Sequence, residues 1–279
     1  MSERIVRGVR VPSFMYGTAW KEERTAPLVR QALDAGFRAI DTANQRKHYF
    51  EAAVGEAIET FSRERSIARG ELFVQTKFTH QDGQDSRLPY DPRAPIAEQV
   101  AQSFRSSLEH LRTEYVDSLV LHGPSLAHGL ADEDWEAWRA ILALVKSGGA
   151  RLAGVSNVSA AQLDEICRAG DAPAFVQNRC YARRGWDRDV RAICRAHDVV
   201  YQGFSLLTAN QRELSSTAVR QIAAHRNRTP AQVVFRFALQ VGMLPLTGTS
   251  DARHLREDLA ALDFALDDGE VAAIERVSG

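Results

Sequence analysis

The chain has 279 residues, 44% of them hydrophobic and 25% charged, which supplies one large buried core and excludes a disordered, collagenous or coiled-coil protein. Thirty-five Lys and Arg balance 36 Asp and Glu to a formal net charge of -1, so no global field draws nucleic acid or an anionic membrane, and neither is an expected partner. Apolar runs are only strand-sized, MSERIVRGVR has no apolar signal core, and Cys167, Cys180 and Cys194 lack CxxC spacing, so a cytoplasmic protein without membrane span, disulfide frame or metal site is expected.

In chain order, Arg4 to Pro12 predicts a small hairpin turning at Gly8, placed to plug one mouth of a barrel. Eight short apolar or β-branched runs follow: SFMYGTA, AIDTA, LFVQTKF, VDSLVLH, ARLAGVSN, FVQNRC, VVYQGFS and LPLTGT. Between them apolar residues recur at helical spacing, as Leu28, Ala32 and Leu33, then Val100, Phe104, Leu108 and Leu111, then Leu163, Ile166 and Cys167, and finally Leu255, Leu259 and Leu262. Gly36, Gly148 with Gly149, and Gly170 read as helix stops, and Ser159 and Asp187 as N-caps. Thr229 before Pro230 predicts an extra helix from Pro230 to Gln240, and DDGEVAAIERV from Asp267 a closing helix. Eight strand-then-helix units predict an α/β fold, a single-domain (β/α)8 TIM barrel over residues 1–279, with an N-terminal hairpin and extra helices near the C-terminus.

Catalytic groups of such barrels lie at the C-terminal ends of strands. Here the strands end on Asp41, Lys77, His122, Ser156 with Asn157, Gln177, Phe204 with Ser205, and Thr249. One strand-end Asp or Lys is ordinarily a rim salt bridge, but polar residues closing strand after strand make a site. The strings GFRAIDTA, FVQTKF, VDSLVLHGP, GVSN and FSLL, in this order between about Val9 and Val277, resemble the aldo-keto reductase superfamily of NAD(P)H-dependent oxidoreductases. The resemblance implies that Asp41, Lys77 and His122 are three of four catalytic residues. It further implies that Ser156, Asn157 and Gln177 bind the nicotinamide carboxamide, and that Phe204 stacks on the nicotinamide where the family usually has Tyr. Other implied cofactor contacts are Gly17, Thr18, Ser205, Leu207, Thr249, Ser250, Arg253 and His254, with Glu257 and Asp258 resembling the pair that reads adenine.

Hydride transfer to a carbonyl leaves an alkoxide, so such a site needs a proton donor and a polar group beside the developing charge. A Tyr beside Lys77 fits, because an ammonium within about 4 to 6 Å lowers a phenol's pKa by about 1 to 3 units. Asp41 would hold that ammonium, and His122 would orient the carbonyl oxygen. The family's Tyr, five residues after the Asp, is here Arg46, in the segment DTANQRKHYFEAAVG. Counting back from Glu51 and Gly55 puts the Tyr position on His48, with Tyr49 next, so a two-residue insertion is implied. Tyr49 is the expected acid, with His48 the alternative acid and a pocket residue, while a hydrophobic staple on its helix is the competing structural role for Tyr49.

No GxGxxG follows the first strand, so phosphates are assigned to FSLLTANQ and TGTSDARHLRED, the loops after strands seven and eight. The family's phosphate-holding Lys and Arg fall near Gly248 and on His254, with Arg253 and Arg256 as substitutes. NADP(H) is the expected cofactor and NAD(H) the alternative. Trp20 predicts an apolar pocket wall, HQDGQDSRLPYDPRAP from His80 a lid, and Arg179, Arg183 and Arg184 either an anionic-substrate contact or a solvated cluster. The expected protein is a monomer that reduces a small-molecule aldehyde or ketone, or oxidises the matching alcohol. The alternative is a cofactor-binding barrel of low turnover with a regulatory role. A metal-dependent hydrolase using Asp41, His80 and His122 is discounted because Lys77 would repel the cation.

Overall fold

Strands β1 (Glu3–Val6) and β2 (Val9–Pro12) form an antiparallel hairpin in the computed structural model, which describes residues 3–277 of the chain. Arg7 and Gly8 form its turn at φ 47° and 81°, the pair of left-handed residues that a tight two-residue hairpin favours. Val6 and Val11 of the hairpin pack on Met15, Phe73, Phe175 and Leu246, so the plug is built from apolar floor residues of the barrel.

Eight parallel strands close that barrel: β3 (Met15–Gly17), β4 (Ala39–Asp41), β5 (Phe73–Phe78), β6 (Val116–Leu121), β7 (Ala150–Ser156), β8 (Phe175–Arg179), β9 (Val200–Phe204) and β10 (Leu244–Thr247), with β10 paired to both β9 and β3. The register sets Gly17 beside Asp41, Asp41 beside Gln75, Ser156 beside Gln177 and Arg179 beside Phe204, which brings the polar strand ends to one rim.

The helices are α1 (Thr25–Ala35), α2 (Glu51–Arg65), α3 (Ile96–Leu111), α4 (Asp132–Lys146), α5 (Ala160–Arg168), α6 (Arg188–Ala196), α7 (Gln211–Leu214), α8 (Thr217–Arg226), α9 (Pro230–Gln240), α10 (Ala252–Leu259) and α11 (Asp268–Glu275). Their periodic apolar residues face the sheet, as Leu28, Val29, Ala32 and Leu33 do on α1. Ser159 and Thr229 cap α5 and α9 through Gln162 N and Gln232 N at 3.3 and 3.2 Å. Helices α2 and α3 touch backbone to backbone at Gly55, where an added Cβ would sit 2.0 Å from the His110 carbonyl oxygen.

Asp187 corrects a sequence expectation. It precedes α6 in a left-handed conformation, φ 57°, and makes no cap bond. Its Oδ2 instead accepts from Asn178 Nδ2 at 3.0 Å and from Tyr201 Oη at 2.9 Å, tying the loop to β8 and β9. Among the described residues no helix is long and apolar enough to cross a membrane.

Candidate active site

The two-residue period of β5 sends Phe73, Gln75 and Lys77 toward the barrel axis at rising levels, from the apolar floor to the rim. Lys77 is buried, and its Nζ donates to Asp41 Oδ1 at 2.7 Å and to the Thr42 carbonyl at 2.8 Å. Asp41 Oδ1 also accepts from Gln75 Nε2 at 2.8 Å and Gln177 Nε2 at 3.0 Å. Gln202 completes the layer, its Oε1 accepting from Gln75 and Gln177 at 2.8 and 3.0 Å. The buried ion pair is therefore embedded in amides that satisfy it, the condition under which such a pair is tolerated in a core.

Between β4 and α2 the chain turns on Gln45, whose carbonyl accepts from His48 N at 3.2 Å and Tyr49 N at 3.0 Å. This turn parts the two candidate acids. Tyr49 points inward, its ring centroid 5.2 Å from Lys77 Nζ and 5.8 Å from the His122 ring in an edge-on arrangement. His48 points to the rim and stacks on Trp20 at 3.9 Å, and its carbonyl accepts from Trp20 N at 2.7 Å. Trp20 is 71% exposed, so it caps His48 at the edge of the mouth instead of forming a buried wall. The staple role expected as the alternative for Tyr49 is not what the ring does, since its contacts are with Lys77 and His122.

The electrostatics depart from expectation at the phenol. Burial pushes Tyr49 well up from the ordinary range of a tyrosine, and the Asp41 charge adds to the rise. The expected lowering by Lys77 does not follow, because Asp41 already engages the ammonium and the phenol faces a nearly neutral pair. Burial draws Lys77 down, with Asp41 opposing. His122 is held well below the usual imidazole range by burial, then by the charges of Lys77 and His48, so its ring is neutral.

The expected carboxamide set is assembled at one arc of the rim. Ser156 Oγ donates to the Gln177 carbonyl at 2.6 Å, and Asn157, left-handed at φ 55°, donates from Nδ2 to the His122 carbonyl at 2.7 Å and to Ser156 Oγ at 3.2 Å. With both amide nitrogens committed, the carbonyl ends of Asn157 and Gln177 have no partner among the described hydrogen bonds, an acceptor pair suited to a carboxamide NH2. Phe204 is half-buried at the end of β9, next to Ser205 at φ 56°. Gly17, Leu207 and Thr249 are partly exposed around the same mouth, and Ser250, Arg253 and His254 are exposed at the start of α10. Lys21 Nζ bonds the Gly248 carbonyl, bringing an ammonium to the position expected of a phosphate-holding lysine. This donor set fits a dinucleotide.

Two side chains expected at the cofactor, Thr18 and Asp258, are buried and bonded within the protein. Thr18 is fully buried, and its hydroxyl donates to the Asp41 carbonyl at 3.0 Å, so it braces the β3–β4 rim. Asp258 is 3% exposed and accepts from Thr247 Oγ1 at 2.7 Å, so its carboxyl is engaged within the fold. Glu257 is half-exposed and pairs with Arg253 at 3.6 Å.

The segment after β5 is tied down. Tyr90 is buried and its hydroxyl donates to the Thr79 carbonyl at 2.8 Å, Gln84 reaches the Asn44 carbonyl at 3.0 Å, and Gln45 Nε2 donates to the Gly83 carbonyl at 2.6 Å. Arg87, Leu88 and Pro89 of this segment close a cavity of about 370 Å³ against Tyr49, Phe50 and His110. Arg179, Arg183 and Arg184 converge on the Tyr181 ring at 6.0, 4.9 and 5.4 Å. Sequence reasoning missed Gln75, Gln202 and Thr79. The first two carried a signal, each standing two residues before a strand-end residue and hence on its face.

The Aldo/keto reductase family profile matches residues 13–278. An aldo-keto reductase of Mycolicibacterium vanbaalenii is 33% identical over 249 residues, 88% of this chain and 81% of that protein. The glyoxal reductase of Bacillus subtilis is 27% identical over 99% of this chain and 92% of its own length. A crystal structure of an aldo/keto reductase from Brucella melitensis superimposes with a TM-score of 0.83 at 27% identity, covering 99% of each chain. The chain belongs to the aldo/keto reductase family, and carbonyl oxidoreductase activity is the chemistry of its relatives.

Proposed function

We propose that the protein is an NADP(H)-dependent carbonyl reductase of small aldehydes or ketones, working in reverse on the matching alcohols, with Tyr49 as the proton donor. The observation that carries this reading is the meeting of the Tyr49 ring with Lys77 Nζ and His122 over the buried Asp41. Asn157, Gln177 and Phe204 would hold the nicotinamide, and Lys21, Arg253 and His254 would hold the phosphates. When bound, the reduced nicotinamide supplies the hydride.

Tyr49 holds its proton at Oη throughout the neutral range, because burial disfavours the phenolate. As the substrate oxygen becomes an alkoxide, with basicity near that of hydroxide, it takes that proton even from a raised phenol. Lys77 then faces the phenolate left behind, and Asp41 with Gln75 and Gln177 keeps the ammonium in place. Neutral His122 hydrogen-bonds the substrate oxygen and orients it. Trp20 and His48 form the rim over which the substrate enters. The glyoxal reductase relative supports small dicarbonyl compounds as substrates, and the unbroken series of eight strand-then-helix units supports a single domain; a cytoplasmic monomer is part of the same proposal.

Steady-state oxidation of NADPH and NADH with glyoxal and a panel of simple aldehydes tests the reading. Turnover with NADPH at the lower KM is the expected result. Cofactor binding by fluorescence without turnover on any carbonyl would contradict it and favour the low-turnover barrel.

A further inference from the structure

The His122 ring follows β6 and is gripped at one edge by Thr79, the first residue past the end of the neighbouring strand β5. Its Nδ1 lies 2.7 Å from Thr79 Oγ1. The backbone on both sides is fixed, with His122 N donating to the Phe78 carbonyl at 2.8 Å and the His122 carbonyl accepting from Asn157 Nδ2 at 2.7 Å. Thr79 is 6% exposed. Its carbonyl is taken by the Tyr90 hydroxyl at 2.8 Å and by Gln84 Nε2 at 3.4 Å, while its own hydroxyl has no other partner among the described hydrogen bonds.

A hydroxyl and a neutral imidazole nitrogen can share this contact in two ways, and proton accounting separates them. With the ring proton on Nδ1, the imidazole donates, and the threonine's own hydrogen is stranded in a buried place without an acceptor. With the ring proton on Nε2, the hydroxyl donates to the Nδ1 lone pair, and the hydrogen without a protein partner is then the N–H of the half-exposed ring, which water or substrate can meet, and not that of a buried hydroxyl. A stranded buried donor costs more than a made hydrogen bond gains, so the second arrangement prevails. Nε2 has no protein partner among the described hydrogen bonds, and the ring's edge contact is with Tyr49.

We propose that Thr79 is a positioning residue: its hydroxyl donates to Nδ1 of His122, fixing the ring's rotation and the Nε2–H tautomer, so that an N–H and not a lone pair meets the substrate's carbonyl oxygen. The proposal rests on the reading of His122 as the group that binds that oxygen. An imidazole with a bare Nε2 would set a lone pair against the developing negative charge and oppose the reaction. Thr79 touches neither substrate nor cofactor in this role and acts through the ring, as the outer-shell partners of a metal-binding histidine act through theirs.

Two substitutions separate the hydroxyl from the shape: Thr79→Val keeps the branched side chain without the donor, and Thr79→Ser keeps the donor. In 15N-histidine-labelled protein without cofactor, His122 is identified by the signals lost in His122→Gln. Nδ1 is expected at the shift of an unprotonated nitrogen displaced by an accepted hydrogen bond, and Nε2 at that of a protonated one. Thr79→Val should abolish the displacement and Thr79→Ser should restore it. A proton on Nδ1 in the wild-type protein, or a spectrum unchanged in Thr79→Val, would overturn the proposal. In the glyoxal assay kcat should fall by about tenfold in Thr79→Val with KM little changed, and recover in Thr79→Ser. An unaltered kcat in Thr79→Val would overturn the positioning role while the carbonyl reductase reading stands. A wild-type protein with no turnover would instead overturn that reading and, with it, the role of Thr79 in catalysis, while the NMR result still decides the hydrogen bond.

Discussion

Lys77 concentrates the physical problem of the site in one side chain. An ammonium buried in a barrel is costly, and here it is compensated by one carboxylate and one backbone carbonyl, with Gln75 and Gln177 supporting the carboxylate from the adjoining layer. Because Asp41 engages it, Lys77 does not pre-lower the Tyr49 phenol; its part comes later, when the phenol has given up its proton. Lys77→Met should therefore lower kcat for carbonyl reduction by at least about a hundredfold, through loss of the charge that faces the phenolate, and leave cofactor affinity largely intact. Fluorescence titration giving an equal loss of cofactor binding would contradict that role. The carboxyl of Asp258 behaves differently. Burial lifts it to about 6. Its folded form holds the proton more tightly than the unfolded chain does, so its contribution to stability falls as pH rises from about 4 toward about 6 and stays low above that. Asp258→Asn keeps the acceptor for Thr247 and removes the buried charge. It should stabilise the protein by roughly 2 to 3 kcal/mol at neutral pH, with little effect below about pH 4 and no change in cofactor affinity. Weakened cofactor binding in this variant would return Asp258 to the adenine-reading role.

At the scale of elements, most of the architecture is legible in the sequence, because strands buried on both faces read as apolar runs and helices as 3.6-residue stripes. The bounds of α9 follow from Thr229 and Pro230, which fix its start chemically. Asp187 misled because its sequence position is that of a cap, while Asn178 and Tyr201, on two other strands, compete for its carboxylate and win. For Thr18 and Asp258 the signal was present. Thr18 is one residue out of phase with Met15 and Gly17, which line the barrel, and Asp258 lies three residues from buried Leu255, on the inward face of α10. Helix contact adds a sharper constraint at Gly55. Alanine there gains up to about 1 kcal/mol of helix propensity, but its Cβ would lie 2.0 Å from the His110 carbonyl oxygen, which only separation of α2 and α3 relieves. The clash dominates, and Gly55→Ala should destabilise by about 1 to 3 kcal/mol, read as a drop in denaturation midpoint. An unchanged or raised midpoint would mean that the two helices separate without cost.

For the molecule as a whole, the barrel works as a device for alignment. Asp41, Lys77 and His122 arrive from three neighbouring strands, Tyr49 from the loop after the first of them, and the amides of Asn157 and Gln177 from the next two strands. The strand-end residues were legible because each closes an apolar run. The direction of the 42–50 loop was not, because a turn on the Gln45 carbonyl decides which of two adjacent side chains faces inward, and no local pattern encodes that choice. The apolar floor and hairpin close the opposite mouth, so the polar rim is the end open to chemistry. The central claim is that Tyr49, not His48, gives the proton, and it is tested most directly by comparing Tyr49→Phe with His48→Ala under saturating cofactor, with the wild-type pH profile alongside. Tyr49→Phe should cut kcat by at least about a hundredfold with cofactor affinity unchanged, and His48→Ala should be mild. The wild-type rate of reduction should stay level between about pH 6 and 8, since burial keeps the phenol protonated there. Burial also draws His48 below its ordinary range, so a histidine donor would lose its proton and the rate would fall through that interval. That decline, together with a crippled His48→Ala and an active Tyr49→Phe, is the result that would contradict the account.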